Sequence, residues 1–289
     1  MNPPEQEPGE NVCSSAQGDR RVQVAARGHG YSLVVPAHDH IGSALTDGRP
    51  YEDDLLVALS SLVRPGDVII DVGANLGNHA LYFAVVREAV VHAYEPNPQA
   101  MAYLRQNVTL NRVEERVHLY EAALSDKTGF AVIQNPQQHE LGLGTAQVVP
   151  AAHGPIRTIR LEDVDHGRVR LIKIDVEGSE AAVLRGARGM LAEHMPIIVA
   201  EAMTPTARGT VTDVARSLGY HRFPIAFAST PVHVYLAQRR DFLRLLLARP
   251  VLSRLLVPRW LKRMPERTHE RIERAKVFGL RSARKLGLR

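Results

Sequence analysis

The hydrophobic pattern changes period along the chain, and each change marks an element. The stretches "RVQVAAR" and "YSLVVP", separated by Gly28, His29 and Gly30, predict a small β-hairpin. "YEDDLLVALSSLV" places Leu55, Leu56, Leu59 and Leu62 at helical spacing, and Pro65 and Gly66 stop it. From there strands and helices take turns: "DVIIDV" strand, "GNHALYFAVV" helix, "AVVHAYE" strand, "PQAMAYLRQNVTLN" helix and "RVHLYEAAL" strand. A more irregular stretch follows, containing "FAVIQ" and "IRTIRLEDV". The alternation resumes with "RLIKIDV" strand, "SEAAVLRGARGML" helix and "PIIVAEA" strand, and closes with a helix around "VTDVARSLG" and strands near "YHRF" and "VHVYLAQ".

Strands alternating with helices of this length predict an α/β fold, a doubly wound and mostly parallel sheet with helices on both faces. In such a sheet, ligands bind beyond the carboxyl ends of the strands, where the strand order reverses. The chain then divides into a leader (1–19), a hairpin and helix cap (20–64), the main domain (65–238) and a tail (239–289).

Composition changes this picture at the two ends. The 289 residues, 45% of them apolar, suffice for one large domain with appendages. The leader is rich in Pro, Glu, Gln, Ser and Gly and is expected to be disordered. Cys13 is the only cysteine, which excludes a disulfide within the chain and points to a reducing, cytoplasmic setting. The opening "MNPPEQEPGE" lacks the basic and apolar regions of a secretory signal, and no run of eighteen apolar residues occurs. The formal charge of +5 is unevenly placed: the tail carries 13 Arg and 3 Lys against four acids, a net +12, leaving −7 on the rest. Pro250, Pro258 and Pro265 break the tail into short helices with leucines and Trp260 among the arginines. That composition fits docking on the acidic body or a dimer contact first and an anionic membrane surface second, including the inner membrane surface. It lacks an aromatic platform for stacking bases, so nucleic acid is not favoured.

The first loop, "VIIDVGANLGNHA", puts Asp71 at the end of a strand, Gly73 at the turn and Gly77 at the helix start. A dinucleotide fingerprint needs G-x-G-x-x-G, and here Asn75 stands where the second glycine belongs. Asp71 would repel a pyrophosphate but attract an ammonium and tolerate a sulfonium, and S-adenosylmethionine carries both cations and no phosphate. The next strand ends "AYEPNP", with Glu95 24 residues after Asp71, the spacing at which a carboxylate meets a ribose diol. The third strand ends at "EAALSD", so Glu121 to Ser125, with Ala123 among them, are expected beside the adenine.

In order and spacing, "YEDDLLVALSSLVRPGDVIIDVGANLGNHALYFA", "AYEPNP", "EAALSD", "LIKIDVEGSEAAVLRGA" and "IIVAE" resemble the FkbM family of S-adenosylmethionine-dependent methyltransferases, over about residues 51–201. The resemblance implies a class I methyltransferase fold, with seven strands of which six are parallel, and methylation of hydroxyl groups on sugars, macrolides and related natural products. It implies that Asp71, Gly73, Ala74, Asn75 and Gly77 hold the methionine end of the cofactor and Glu95 its ribose. "IDVEG" and the end of "IIVAE" supply Asp175, Glu177 and Glu201 as the other signatures. His79 departs from the pattern, since members often carry an aromatic and a threonine after the second glycine.

A saccharide or alkyl hydroxyl does not ionise unaided, so methyl transfer to it needs a general base or a cation. Asp175 and Glu201 end adjacent central strands and are the expected bases. Asp175, Glu177 and Glu201 are the ligand set for Mg²⁺, which is not favoured over the base role. Lys173 shares a strand face with Asp175, so an internal ion pair competes with catalysis as its explanation. Glu180 and Ser179 read as a helix start, and His79 and His153 are spare acid–base candidates. Two other functions stand against an O-methyltransferase of a saccharide or natural product: an inactive nucleoside-binding module, and a nucleic-acid methyltransferase. The second lacks an "NPPY"-type tetrapeptide where "DVEG" stands.

Overall fold

The computed structural model describes residues 18–37, 40–45, 47–134, 143, 147–227 and 231–247. Cys13, almost all of the leader and the tail beyond Leu247 lie outside the described residues, and with them the expectations placed there. The chain divides into two units, Met1–Leu245 and Leu246–Arg289, and the site below belongs to the first.

Two strands open the chain, β1 (Arg20–Ala26) and β2 (His29–Val35), an antiparallel hairpin turning at Arg27 and Gly28. Helices α1 (His40–Ala44) and α2 (Asp53–Ser60) follow. Then come β3 (Val68–Val72), α3 (Asn78–Leu81) running into a π-helical turn over Tyr82–Val86, β4 (Val90–Tyr94), α4 (Pro98–Leu110) and β5 (Val117–Tyr120). Four short strands intervene: β6 (Ala123–Leu124), β7 (Gly129–Gln134), β8 (Gln147–Ala151) and β9 (Ile156–Ile159). The main alternation returns with β10 (Val169–Ile174), α5 (Glu180–Arg185), α6 (Arg188–His194), β11 (Ile197–Glu201), α7 (Pro205–Ser217), β12 (His221–Phe227), β13 (Val232–Leu236) and α8 (Arg239–Leu247).

The seven-stranded sheet runs β12-β13-β11-β10-β3-β4-β5. Every neighbouring pair from β11 to β5 is parallel, and β13 alone runs against its neighbours. The order reverses between β3 and β10, which puts a crevice beyond the carboxyl ends of β3, β4, β10 and β11. This is the class I methyltransferase sheet. Both faces are covered, so Ile69, Ile70, Asp71 and Val72 are all buried and the strand shows no alternation.

The hairpin docks on α4 through two amides one helical turn apart. Asn107 accepts from the backbone N–H of Val34 at 2.6 Å and donates to the Val34 carbonyl at 3.1 Å. Asn111 does the same for Ser32, at 2.8 and 2.7 Å. The open edge of β2 is thereby satisfied as a paired strand would satisfy it.

Two sequence expectations are corrected. The stretch expected to be irregular contains a second sheet, ordered β6-β9-β7-β8. The single helix expected over 179–191 is two, because it must yield at Gly186: a Cβ there would lie 1.9 Å from the Ser125 carbonyl oxygen. Glu162 completes the break by accepting from the Gly189 N–H at 2.7 Å.

Candidate active site

Six of the motif residues converge at the carboxyl ends of β3, β4, β10 and β11. The loop after β3 turns with Gly73 at φ 75° and Asn75 at φ 50°, both left-handed. Gly73 has to be glycine for a second reason, since a Cβ would stand 1.9 Å from the carbonyl oxygen of Asp175. Gly73 and Ala74 donate their N–H groups to the Tyr94 carbonyl at 2.9 and 3.0 Å, and Asp175 donates its own to Val72 at 3.0 Å. The loop and the end of β10 are therefore one body. Gly77 caps α3 at φ 94°, with Leu104 packed where its side chain would be.

Glu95 is buried and holds the loop in shape. Its Oε2 accepts from the Asn75 N–H and its Oε1 from the Asn97 N–H, each at 2.8 Å. Burial pushes its carboxyl up to about 7, against the pull of those two donors. Asn75 Oδ1 is buried without a hydrogen-bond partner. A carboxylate beside a left-handed turn and an unmatched acceptor next to it fit the diol and ammonium of S-adenosylmethionine.

Asp71 sits differently from the expectation. It is 1% exposed and neither oxygen makes a hydrogen bond; its charge faces Lys173 Nζ, 3.4 Å from Oδ1. The parallel sheet covers it on both faces. Ala123 is also committed to packing, against Ala131 and Ile156 in the small sheet.

Lys173 is the hub. Its ammonium donates to the Gly73 carbonyl at 2.9 Å and pairs by charge with Asp175 Oδ2 at 3.3 Å and Asp71 Oδ1 at 3.4 Å. Burial opposes its charge, but Asp175, Asp71 and Glu52 outweigh that and hold it above the ordinary lysine range. Asp175 and Glu201 are hydrogen-bonded to one another and driven in opposite directions. Burial works against the Asp175 charge, yet Lys173, the Glu201 hydrogen bond and His79 together keep it below the usual carboxylate range. Burial, the same hydrogen bond and repulsion from Asp175 push Glu201 up to about 9. At neutral pH the pair is one carboxylate and one carboxylic acid.

Four further residues enter that sequence reasoning did not group. His79 Nε2 meets Glu52 Oε2 at 3.0 Å, both side chains under 10% exposed. Asn78 clamps the backbone of Tyr51, accepting from its N–H at 3.3 Å and donating to its carbonyl at 3.2 Å. The first two residues of α3 thus pin Tyr51 and Glu52 close to the carboxyl pair. Burial and the charges of Glu52, Glu201 and Asp175 raise the Tyr51 phenol to about 12. "YE" ahead of the α2 leucines was the visible signal, but its partners lie 27 residues away.

Glu177, at φ 52°, is half-buried behind Asp175, and burial with repulsion from Asp175 and Glu180 raises its carboxyl. Glu180 turns away and accepts from the Gly178 N–H at 2.9 Å, while Ser179 stands at the N-cap without a side-chain capping bond. His153 is exposed after β8. Among the described residues no group of three or more His, Cys, Asp or Glu is placed to hold a metal ion, so Asp175, Glu177 and Glu201 do not fit Mg²⁺ as a set.

Among the described residues no helix is long and apolar enough to cross a membrane. The family model described as the methyltransferase FkbM domain matches residues 71–242. The chain is 33% identical over 218 residues to 31-O-demethyl-FK506 methyltransferase FkbM of Streptomyces tacrolimicus, covering 61% of this chain and 82% of that one. It is 31% identical over 158 residues to 2-O-methyltransferase NoeI of Sinorhizobium fredii, and 32% over 152 residues to hexuronic acid methyltransferase AglP of Haloferax volcanii. Those matches cover 46% and 51% of this chain, and 62% and 61% of the two relatives. The crystal structure of methyltransferase FkbM from Methylobacillus flagellatus aligns with a TM-score of 0.47 at 20% identity, over 62% of this chain and 47% of that one. With that family model matching residues 71–242, well over half of the 289 residues, the chain belongs to the FkbM methyltransferases and is an S-adenosylmethionine-dependent methyltransferase.

Proposed function

We propose that the acceptor is a hydroxyl group of a saccharide or related natural product, and that Asp175 is the base that receives its proton. The observation that carries this reading is the carboxyl pair at the ends of β10 and β11 with Lys173 Nζ 3.3 Å from Asp175 Oδ2, which favours the negative charge on Asp175 over Glu201. When bound, S-adenosylmethionine supplies the methyl group as a sulfonium electrophile. The chain has to orient the hydroxyl and remove its proton. Asp175, partly exposed to the crevice and anchored by Lys173, accepts that proton. Glu201 donates its own hydrogen bond to Asp175 and keeps the carboxylate oriented. Tyr51, with its phenol protonated at neutral pH, is a donor placed beside both. Glu95 and Asn75 hold the ribose and methionine ends of the cofactor, and Asp71 and Glu52 bias the crevice toward its positive charge. Relatives named for 31-O, 2-O and hexuronic acid methylation support an oxygen acceptor. The hairpin and the small sheet are the segments expected to shape the acceptor pocket.

The test is an asymmetry between two near-isosteric variants, with turnover read by mass increase over a panel of hydroxylated acceptors. Asp175→Asn is expected to lose about 10²- to 10⁴-fold in kcat with S-adenosylhomocysteine affinity retained. Glu201→Gln still donates to Asp175 and is expected to stay within about tenfold of wild type. Equal losses in both variants would remove the assignment of the base, and no product with any hydroxylated acceptor would remove the acceptor class.

A further inference from the structure

At the other end of the sheet, where β3, β10 and β11 begin and β13 ends, lies a cavity of about 310 Å³. Arg64, Arg168, Arg170, Arg240, Arg244 and His194 line it, and among the described residues Asp67 is the carboxylate that lines it with them. Arg170 is fully engaged. It donates to Asp241 from both terminal nitrogens at 2.9 and 2.8 Å, and its Nε donates to the Leu62 carbonyl at 3.0 Å. Asp241 is 1% exposed, so its charge is used within the wall. Arg240 leans on the same carboxylate at 3.8 Å. Asp67 accepts the backbone N–H of Arg64 at 2.8 Å.

Among the described residues, the side chains of Arg64, Arg168 and Arg244 have no acidic partner. Some arginines elsewhere hold carboxylates at close range, as Arg49 does Asp47 and Arg185 does Asp126, and others such as Arg105, Arg188 and Arg222 hold none among the described residues; what sets Arg64, Arg168 and Arg244 apart is that they line one cavity. Three guanidinium groups around one concavity repel one another, and an anion between them removes that cost. His194 Nδ1 accepts the Val169 N–H at 3.4 Å, so Nε2 is the ring nitrogen left to donate. The guanidinium fork matches phosphate oxygens in pairs. A cavity of this size stands at the lower end of small-ligand sites, roughly 300 Å³ and upward.

We propose that this cavity is a second binding site, for a phosphoryl or pyrophosphoryl group, independent of the methyl-transfer crevice. β10 and β11, five to six residues long at about 3.3 Å per residue, separate the two by roughly 15–20 Å. The phosphate belongs either to a soluble phosphate ester or to a phospholipid headgroup.

The experiment uses the full chain with inorganic pyrophosphate in calorimetry at low salt, and phosphatidylglycerol against phosphatidylcholine vesicles in co-sedimentation. Both are repeated on Arg168→Ala/Arg244→Ala and on the corresponding double lysine variant. The expected result is saturable pyrophosphate binding that weakens at least tenfold in the alanine variant, partly returns in the lysine variant and declines with added salt. S-adenosylhomocysteine affinity should be unchanged in both, which also shows that they fold. Phosphatidylglycerol binding that pyrophosphate displaces and the alanine variant lacks assigns the site to a headgroup, whereas pyrophosphate binding without vesicle binding assigns it to a soluble ester. Binding of neither probe, or binding that the alanine variant keeps in full, overturns the proposal.

Discussion

The two ends of the sheet are built on the same plan with the signs exchanged. At the carboxyl end a buried cation, Lys173, is matched by the charges of Asp71 and Asp175 and donates to Gly73, and a surplus of acid faces the crevice. At the amino end a buried acid, Asp241, is saturated by Arg170, and a surplus of arginine faces the cavity. An internal counter-charge is what allows several like charges to be gathered at the end of an apolar sheet, because it satisfies the innermost group and leaves the outer ones for a ligand. The difference lies in what each ligand has to be. The carboxyl end suits a cation with a diol, and the amino end suits an anion.

The largest effect expected on this contrast is Gly73→Ala. The added methyl collides with the Asp175 backbone at a left-handed position, so stability should drop on the order of 3–5 kcal/mol in urea titration. S-adenosylhomocysteine binding should go with it. Asp241→Ala breaks the other hub and leaves Arg170 unpaired, costing about 3 kcal/mol. Its S-adenosylhomocysteine affinity should remain within about twofold of wild type, since distant sites act independently. A joint loss would show that the ends are coupled.

A third effect depends on pH. The folded state raises Glu201 from its ordinary value to about 9, so it keeps a proton that the unfolded chain releases. That contribution is fully present below the ordinary glutamate value and is lost as pH rises through about 9. Wild type should therefore lose melting temperature relative to Glu201→Gln between pH 5 and 9; a constant difference would contradict the shared proton. The smallest effect concerns Glu95, raised to about 7. Its ionised form is the better acceptor for a diol, so S-adenosylhomocysteine affinity should fall as pH drops below about 7, by a few-fold per unit at most. Glu95→Gln should flatten that dependence.

The main sheet was legible because parallel strands covered on both faces read as unbroken apolar runs, and the motif spacing of Asp71, Glu95, Asp175 and Glu201 follows from strand ends. The same coverage hid the burial of Asp71, since nothing in "VIIDV" distinguishes an inward carboxylate from one facing a ligand. The small sheet was missed for the opposite reason. Its strands are half-exposed, β7 buries only Ala131, and β9 joins them from more than twenty residues away, so the apolar run "FAVIQ" carried no sign of the strands it pairs with. Tyr51, Glu52, Asn78 and His79 were visible singly, but their association depends on where α2 and α3 meet. Fine proton placement in the carboxyl pair was out of reach too, because it depends on Lys173 approaching one partner rather than the other.

The asparagine clamp on the hairpin has a consequence for how such enzymes diversify. Asn107 and Asn111 grip only backbone atoms of Ser32 and Val34, so attachment places no demand on the side chains that the hairpin presents elsewhere. A lineage can rewrite those side chains freely, or exchange the hairpin for another of the same register, while two amides on one helix keep it moored. On the proposed function, where the hairpin shapes the acceptor pocket, such changes would alter the acceptor without disturbing the machinery that moves the methyl group.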